Sequence, residues 1–329
     1  MPPTAIVIGE AMIELWSSAD EPGRAYGQDE SRRSGEPHGS NRFQESDGFQ
    51  LGGFHGTFAG DTLNCAAAIA AVDTDISVRY LTGVGEGERS SQLIDFCASM
   101  RVDASGSMRV PNRQLGVYWI ETGDTEQRFR YQRDKSAARA ALSRGMSIPP
   151  VGPGDAVILS GITLAVATTG CEQLIGQLAQ ARASGALTGF DLNYRTALWA
   201  DVHTARVTLE AMLEKADIVK ASVDDTRNVW NEDAVSFCRR ATRSGASEVI
   251  VTNGHSELLA VTGDEHRWYQ PSTVDVVDTS GAGDGFFGTY LAHRLSDVDP
   301  FEAIHHSLEV AAHVVRSNGA LGYLTDTMQ

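Results

Sequence analysis

Between residues 156 and 252 the chain changes character at regular intervals. An apolar Ala-Val-Ile-Leu run from Ala156 leads into a helical pattern over 168–184. A strand-like run over 187–190 and a helical pattern over 202–215 follow, then Ile218-Val219, helical stretches over 225–230 and 232–244, and an apolar run over 248–252. Strands separated by helices lack an adjacent hairpin partner, so they pair in parallel and are covered on both faces. The first half keeps the same rhythm, with Thr-Ala-Ile-Val-Ile from Thr4, a helix over 61–72, a strand over 76–81 and a helix over 90–100. The fold class is therefore α/β with a mostly parallel central sheet flanked by helices.

Two segments break that rhythm. Residues 116–122 and 127–132 alternate in polarity across a Gly123-Asp124 turn, which signals a hairpin. Together with an early extended piece at 12–16 they predict a small β-sheet lid, drawn from about 11–17, 50–59 and 113–134 of a single domain spanning 1–329. Residues 18–52 are rich in Gly, Ser, Asp, Glu, Arg and Gln and nearly free of aliphatic side chains, and are expected to form a mobile insertion. An exposed edge in the lid suggests pairing with a second lid, hence a homodimer, which sedimentation velocity would test.

The net charge of −16 disfavours nucleic-acid and anionic-membrane partners, because such a surface repels phosphate. The four cysteines lie far apart without metal spacing, which argues against a zinc site or a disulfide framework. Neither a secretory leader nor an apolar run of bilayer length is visible, so a cytoplasmic location is expected.

Chemistry concentrates at Val276-Val277-Asp278-Thr279-Ser280-Gly281-Ala282-Gly283-Asp284, where an apolar strand end meets small residues and a helix start. Unobstructed backbone N–H groups at a helix N-terminus favour an anion such as phosphate. Asp284 beside that anion has two readings. It is either a helix cap or a base that takes a proton from an attacking hydroxyl. The residues alone leave both open.

D-T-S-G-A-G-D over 278–284 resembles the C-terminal signature D-T-x-G-A-G-D of the ribokinase/PfkB carbohydrate kinases. The resemblance implies a ribokinase-like fold, Asp284 as catalytic base, and a phosphoryl group held by the backbone of Gly281, Ala282 and Gly283. Ala59-Gly60-Asp61-Thr62-Leu63-Asn64 is similar to the family's G-G-D-x-x-N sugar-binding turn, with alanine at its first position. It assigns Gly60, Asp61 and Asn64 to the sugar. Gly83-Val84-Gly85-Glu86 resembles the shorter V-G-x-D signature.

Within the family three segments resemble the 2-keto-3-deoxygluconate kinases: G-E-A-M-I-E-L from Gly9, the lid strands, and D-L-N-Y-R followed by Leu198-Trp199 from Asp191. The family pattern assigns Arg133, Arg195, Tyr118 and Tyr131 to a sugar acid, and a guanidinium does suit a carboxylate. For the nucleotide it implies Asn193, Thr252, Gly254 and Asn318. Ser222 and Asp225 stand where N-x-x-E is usual, with Asp225 reaching magnesium through water. In some relatives the turn at Asp278 and Ser280 holds a monovalent cation, so potassium joins ATP and Mg²⁺ as an expected ligand.

The expected reaction is ATP-dependent phosphorylation of 2-keto-3-deoxygluconate at its terminal hydroxyl. The alternatives are the same chemistry on fructose, ribose or another keto-deoxy acid, and, more remotely, an inactive ligand-binding regulator.

Overall fold

The computed structural model describes residues 2–17, 49–51, 54–122 and 127–324. Most of the polar 18–52 stretch and the turn of the 116–132 hairpin lie outside these, although Phe49–Leu51 forms a short strand.

Nine strands make one sheet, in the order Glu265–Tyr269, Ser256–Thr262, Glu248–Asn253, Ile218–Ser222, Leu187–Asp191, Ala156–Ser160, Thr4–Ile8, Ser77–Leu81, Val102–Asp103. From Glu248–Asn253 to the last strand every neighbour is parallel. The first two strands, which the sequence reading did not separate, are antiparallel. In the middle, Val7 sits between Ile158 and Tyr80. Alternate side chains then face opposite layers: Ile6 and Ile8 join Phe190, Leu209 and Phe237 on one side. Ala5 and Val7 join Leu63, Tyr80, Phe287 and Tyr290 on the other. Each large side chain taken fully from water contributes roughly 1.5–3 kcal/mol, so the two layers dominate stability.

Element boundaries differ from expectation where caps intervene. The helix expected over 168–184 is Cys171–Ala183, preceded by a 3₁₀ turn at Thr168–Gly170 and a helix Gly161–Ala167 that Ser160 caps. The helix expected to open at 225 opens at Val223. There the Ser222 side chain accepts the Asp225 N–H while Asp225 accepts the Ser222 N–H, a reciprocal capping box.

The second sheet runs Gln127–Gln132, Gly116–Thr122, Met12–Ser17, Phe54–Ala59, Phe49–Leu51. It is not wholly antiparallel, because Met12–Ser17 lies parallel to Gly116–Thr122.

Two helices fix the position of the functional residues. Asp61–Val72 and Ala282–Leu295 pack side by side, and a Cβ on Gly288 would meet the Cys65 carbonyl oxygen at 2.4 Å. Glycine is what permits that approach. Asn64 in the first turn of one helix bonds Asp284 in the first turn of the other, and Asn193, just past the end of Leu187–Asp191, bonds Asp61, so the two N-termini lie together at the carboxyl ends of the parallel strands, where open α/β sheets bind ligands.

Candidate active site

Neither of these helix starts carries a side-chain cap; Gly60 and Gly281 hold the cap positions. Helices elsewhere are capped by Asp201, Asp233 and Asp299, although Glu88–Ser99 and Cys171–Ala183 also start without a side-chain cap. Gly281 takes φ 75° with Ala320 tight against it, a conformation and a space that exclude a side chain. Two uncapped dipoles therefore converge on one spot, which favours a negative group there.

Asp284 stands at that spot. The Asn64 amide donates to its Oδ2 at 2.9 Å, joining the two helices across the gap. Its carboxyl is pushed up to about 7, by burial first and by Asp61 next, against the opposing pull of Lys220 and Asn64. Part of Asp284 remains open to the cleft. A carboxylate so placed exchanges its proton near neutrality, which is what a general base needs. The one Asn64 side-chain oxygen, Oδ1, is buried and has no hydrogen-bond partner among the described residues.

The floor beneath is charged. Lys220 and Asp191 form a buried ion pair, with Nζ 2.9 and 3.2 Å from the two carboxylate oxygens. Nζ also lies 2.9 Å from where a Cβ on Gly283 would stand, directly under the anion turn. Burial pulls Lys220 down, but Asp191 and Asp284 outweigh it and leave the ammonium more firmly charged. Burial holds Asp191 up at about 6 despite Lys220. Sequence reading quoted Asp191 only as part of a motif and passed over Lys220. The available signal was a lysine inside an apolar parallel strand, a position that tolerates charge only with a partner.

Of the other expected sugar-binding residues, Asp61 accepts from the Asn193 amide at 3.1 Å, which ties the start of its helix to the loop after Leu187–Asp191. The rings of Tyr118 and Tyr131 lie 5.6 Å apart. Arg195 is exposed, with a 3.5 Å contact to the Tyr194 carbonyl. Arg133 is in different surroundings: 8% exposed, it gives Nε to Glu10 at 2.8 Å with a second contact from Nη2, while Ser136 donates to the other Glu10 oxygen. The two arginines are thus not equivalent, since one guanidinium is engaged inside the protein and the other is exposed. Glu10 is the residue sequence reasoning missed here. Arg133→Lys is expected to lower stability by about 1–2 kcal/mol, because lysine cannot reproduce the two-pronged contact. Thermal unfolding would measure it, and an unchanged melting temperature would rule out this buried lock.

The expected nucleotide residues make mostly backbone contacts. Asp225 accepts from the Tyr194 and Ser222 N–H groups at 2.9 and 2.8 Å, so both oxygens already serve the backbone. Thr252 donates to the Ala221 carbonyl, and Gly254 turns the chain between two strands. Asp278 accepts from the Ser280 and Gly319 N–H groups at 2.9 and 3.1 Å, fastening the anion turn to the C-terminal loop. Asn318 beside it keeps a buried Oδ1 without a partner among the described residues.

The pfkB family carbohydrate kinase model matches residues 4–326. The chain belongs to that family. Membership makes it a phosphotransferase with an alcohol group as acceptor. It is 34% identical, over 276 residues, to the 2-dehydro-3-deoxygluconokinase of Escherichia coli (strain K12), a match covering 80% of this chain and 89% of that one. The enzyme of the same name from Dickeya dadantii (strain 3937) is 32% identical over the same shares. Among solved structures, a putative ribokinase II from E. coli in complex with ATP and Mg²⁺ superposes with a TM-score of 0.75 at 19% identity, covering 100% of this chain and 98% of the other. For this carbohydrate kinase the ribokinase-like fold read from the sequence stands. No described helix is long and apolar enough to cross a membrane.

Proposed function

We propose that this kinase transfers the γ-phosphoryl group of ATP to the terminal hydroxyl of 2-keto-3-deoxygluconate, giving 2-keto-3-deoxy-6-phosphogluconate. One observation carries the chemistry: Asp284, with its carboxyl near 7, stands where two uncapped helix starts converge. Asn64 aims the carboxylate, and Asp284 takes the hydroxyl proton as that oxygen attacks. The N–H groups of Gly281 and Gly283 and the ammonium of Lys220 meet the charge that develops on the transferred group, with the Ala282 N–H, which also donates to the Thr279 carbonyl, beside them. Among the described residues no group of three or more His, Cys, Asp or Glu side chains is suited to a metal. Asp225, whose oxygens each accept one backbone N–H and keep a further lone pair, would reach magnesium on the nucleotide's phosphates through water. Magnesium would add charge neutralisation.

The sugar-acid assignment draws on the kinship to 2-dehydro-3-deoxygluconokinases and on the exposed Arg195 guanidinium near Tyr131. A neutral sugar is the second reading, favoured by the engagement of Arg133 with Glu10, which leaves one guanidinium fewer for a carboxylate. A coupled ADP-release assay on 2-keto-3-deoxygluconate, its galacto epimer, fructose, ribose and gluconate separates them. Turnover is expected on the keto-deoxy acids. Arg195→Met should raise KM for the acid about 10–100-fold, the worth of a charge-assisted contact. Turnover confined to a neutral sugar and indifferent to Arg195 would remove the sugar-acid reading.

A further inference from the structure

Glu14, Tyr118 and Tyr131 occupy one row across three strands of the small sheet, Glu14 opposite Tyr118 and Tyr118 opposite Tyr131. Register partners share a face. That face lies within electrostatic reach of the anion-site residues, since Asp278 on the core acts on both Glu14 and Tyr118, and Arg195 acts on Tyr131. Glu14 is 5% exposed, and the Tyr118 hydroxyl donates to its Oε2.

A phenol has one proton. When Glu14 takes it, the Tyr118 oxygen can only accept a hydrogen bond from any further partner and cannot give one. A substrate hydroxyl fits such an acceptor, whereas a carboxylate, which also only accepts, does not.

We propose that Glu14 is a positioning residue that fixes Tyr118 as a hydrogen-bond acceptor, so that the small sheet reads a substrate hydroxyl at this point and turns a carboxylate away from it. The consequence is orientation: the acid group of the substrate lies toward Arg195 and a hydroxyl lies under Tyr118. This rests on the sugar-kinase reading above.

The test is a double-mutant cycle of Glu14→Gln and Tyr118→Phe, with KM for the sugar, KM for ATP, kcat and melting temperature measured for each. Burial pushes the Glu14 carboxyl up to about 7, so the assay is run at pH 8, where the group is ionised. A glutamine amide can donate to the phenol oxygen and leave its proton free for another partner. Glu14→Gln is therefore expected to raise KM for the sugar about 10-fold, the cost of mispairing one buried polar group, with kcat and KM for ATP close to wild type. In the Tyr118→Phe background the same change should add nothing to KM. An unchanged KM in Glu14→Gln, effects that multiply in the double variant, or an equal rise in KM for ATP would each overturn the assignment. If Glu14→Gln does not fold, Tyr118→Phe alone decides: a wild-type KM overturns the proposal. Wild-type protein inactive on every keto-deoxy acid would sink the substrate reading instead, and the cycle would then be run on whichever sugar is turned over.

Discussion

Asp284→Asn is expected to lose turnover by about 10²–10⁴-fold, the usual worth of a general base, and yet to melt at a higher temperature than the wild type at pH 8. The two effects share a cause. In the unfolded chain an aspartate releases its proton near pH 3.9, whereas in the folded protein Asp284 holds it to about 7. Between those values the folded state binds more protons, so stability falls as pH rises through the window and stays low above it. Asparagine never ionises and avoids that loss. The stability gain should be on the order of 2–4 kcal/mol above pH 7 and should shrink toward zero near pH 4. For the wild type, kcat/KM should climb with pH through about 7, as the base ionises. A variant that is inactive but no more stable at pH 8 would show that Asp284 is not held protonated by its surroundings.

Lys220→Met is expected to cost both stability and rate. It strips the ammonium from a floor that keeps Asp191 buried and places Asp284 and Asp61 close by. Removing one partner of a buried pair typically costs about 3–5 kcal/mol, because the other charge is left uncompensated. With that cation gone Asp284 should titrate higher still, moving the alkaline rise of kcat/KM upward. Turnover should drop about 10²-fold or more, as when a preorganised electrostatic donor is deleted. Asp191→Asn combined with Lys220→Met separates the two roles. The pair of neutral residues should recover much of the stability and none of the rate. Recovery of both would reduce Lys220 to a structural counter-ion.

The sequence made Asp284 legible because everything that identifies it lies within seven consecutive residues, from Asp278 to Asp284. The alternation after Ala156 made the parallel sheet legible for the same local reason. What stayed hidden depends on pairs made by the fold. Glu10 and Arg133 are 123 residues apart, and Lys220 and Asp191 are 29 apart. No periodicity links such partners, so Arg133 looked available to a ligand and Lys220 did not stand out. Asp225 illustrates the intermediate case: its acidic place in a first helical turn was readable, but the bond it accepts from Tyr194 was not.

The small sheet carries a consequence for assembly and for engineering. Its strands come from two distant parts of the chain, and the register that holds them together joins residues as remote as Met12 and Gly116. Such a sheet closes only after the chain between them has taken its place in the core, so it should be a late step in folding and a sensitive one to any delay in the first half of the molecule. For the same reason it cannot be cut out as a cassette. Transplanting the cover of a relative onto this core would require exchanging two separate lengths of chain at once, together with the Glu10–Arg133–Ser136 cluster on which the two lengths meet.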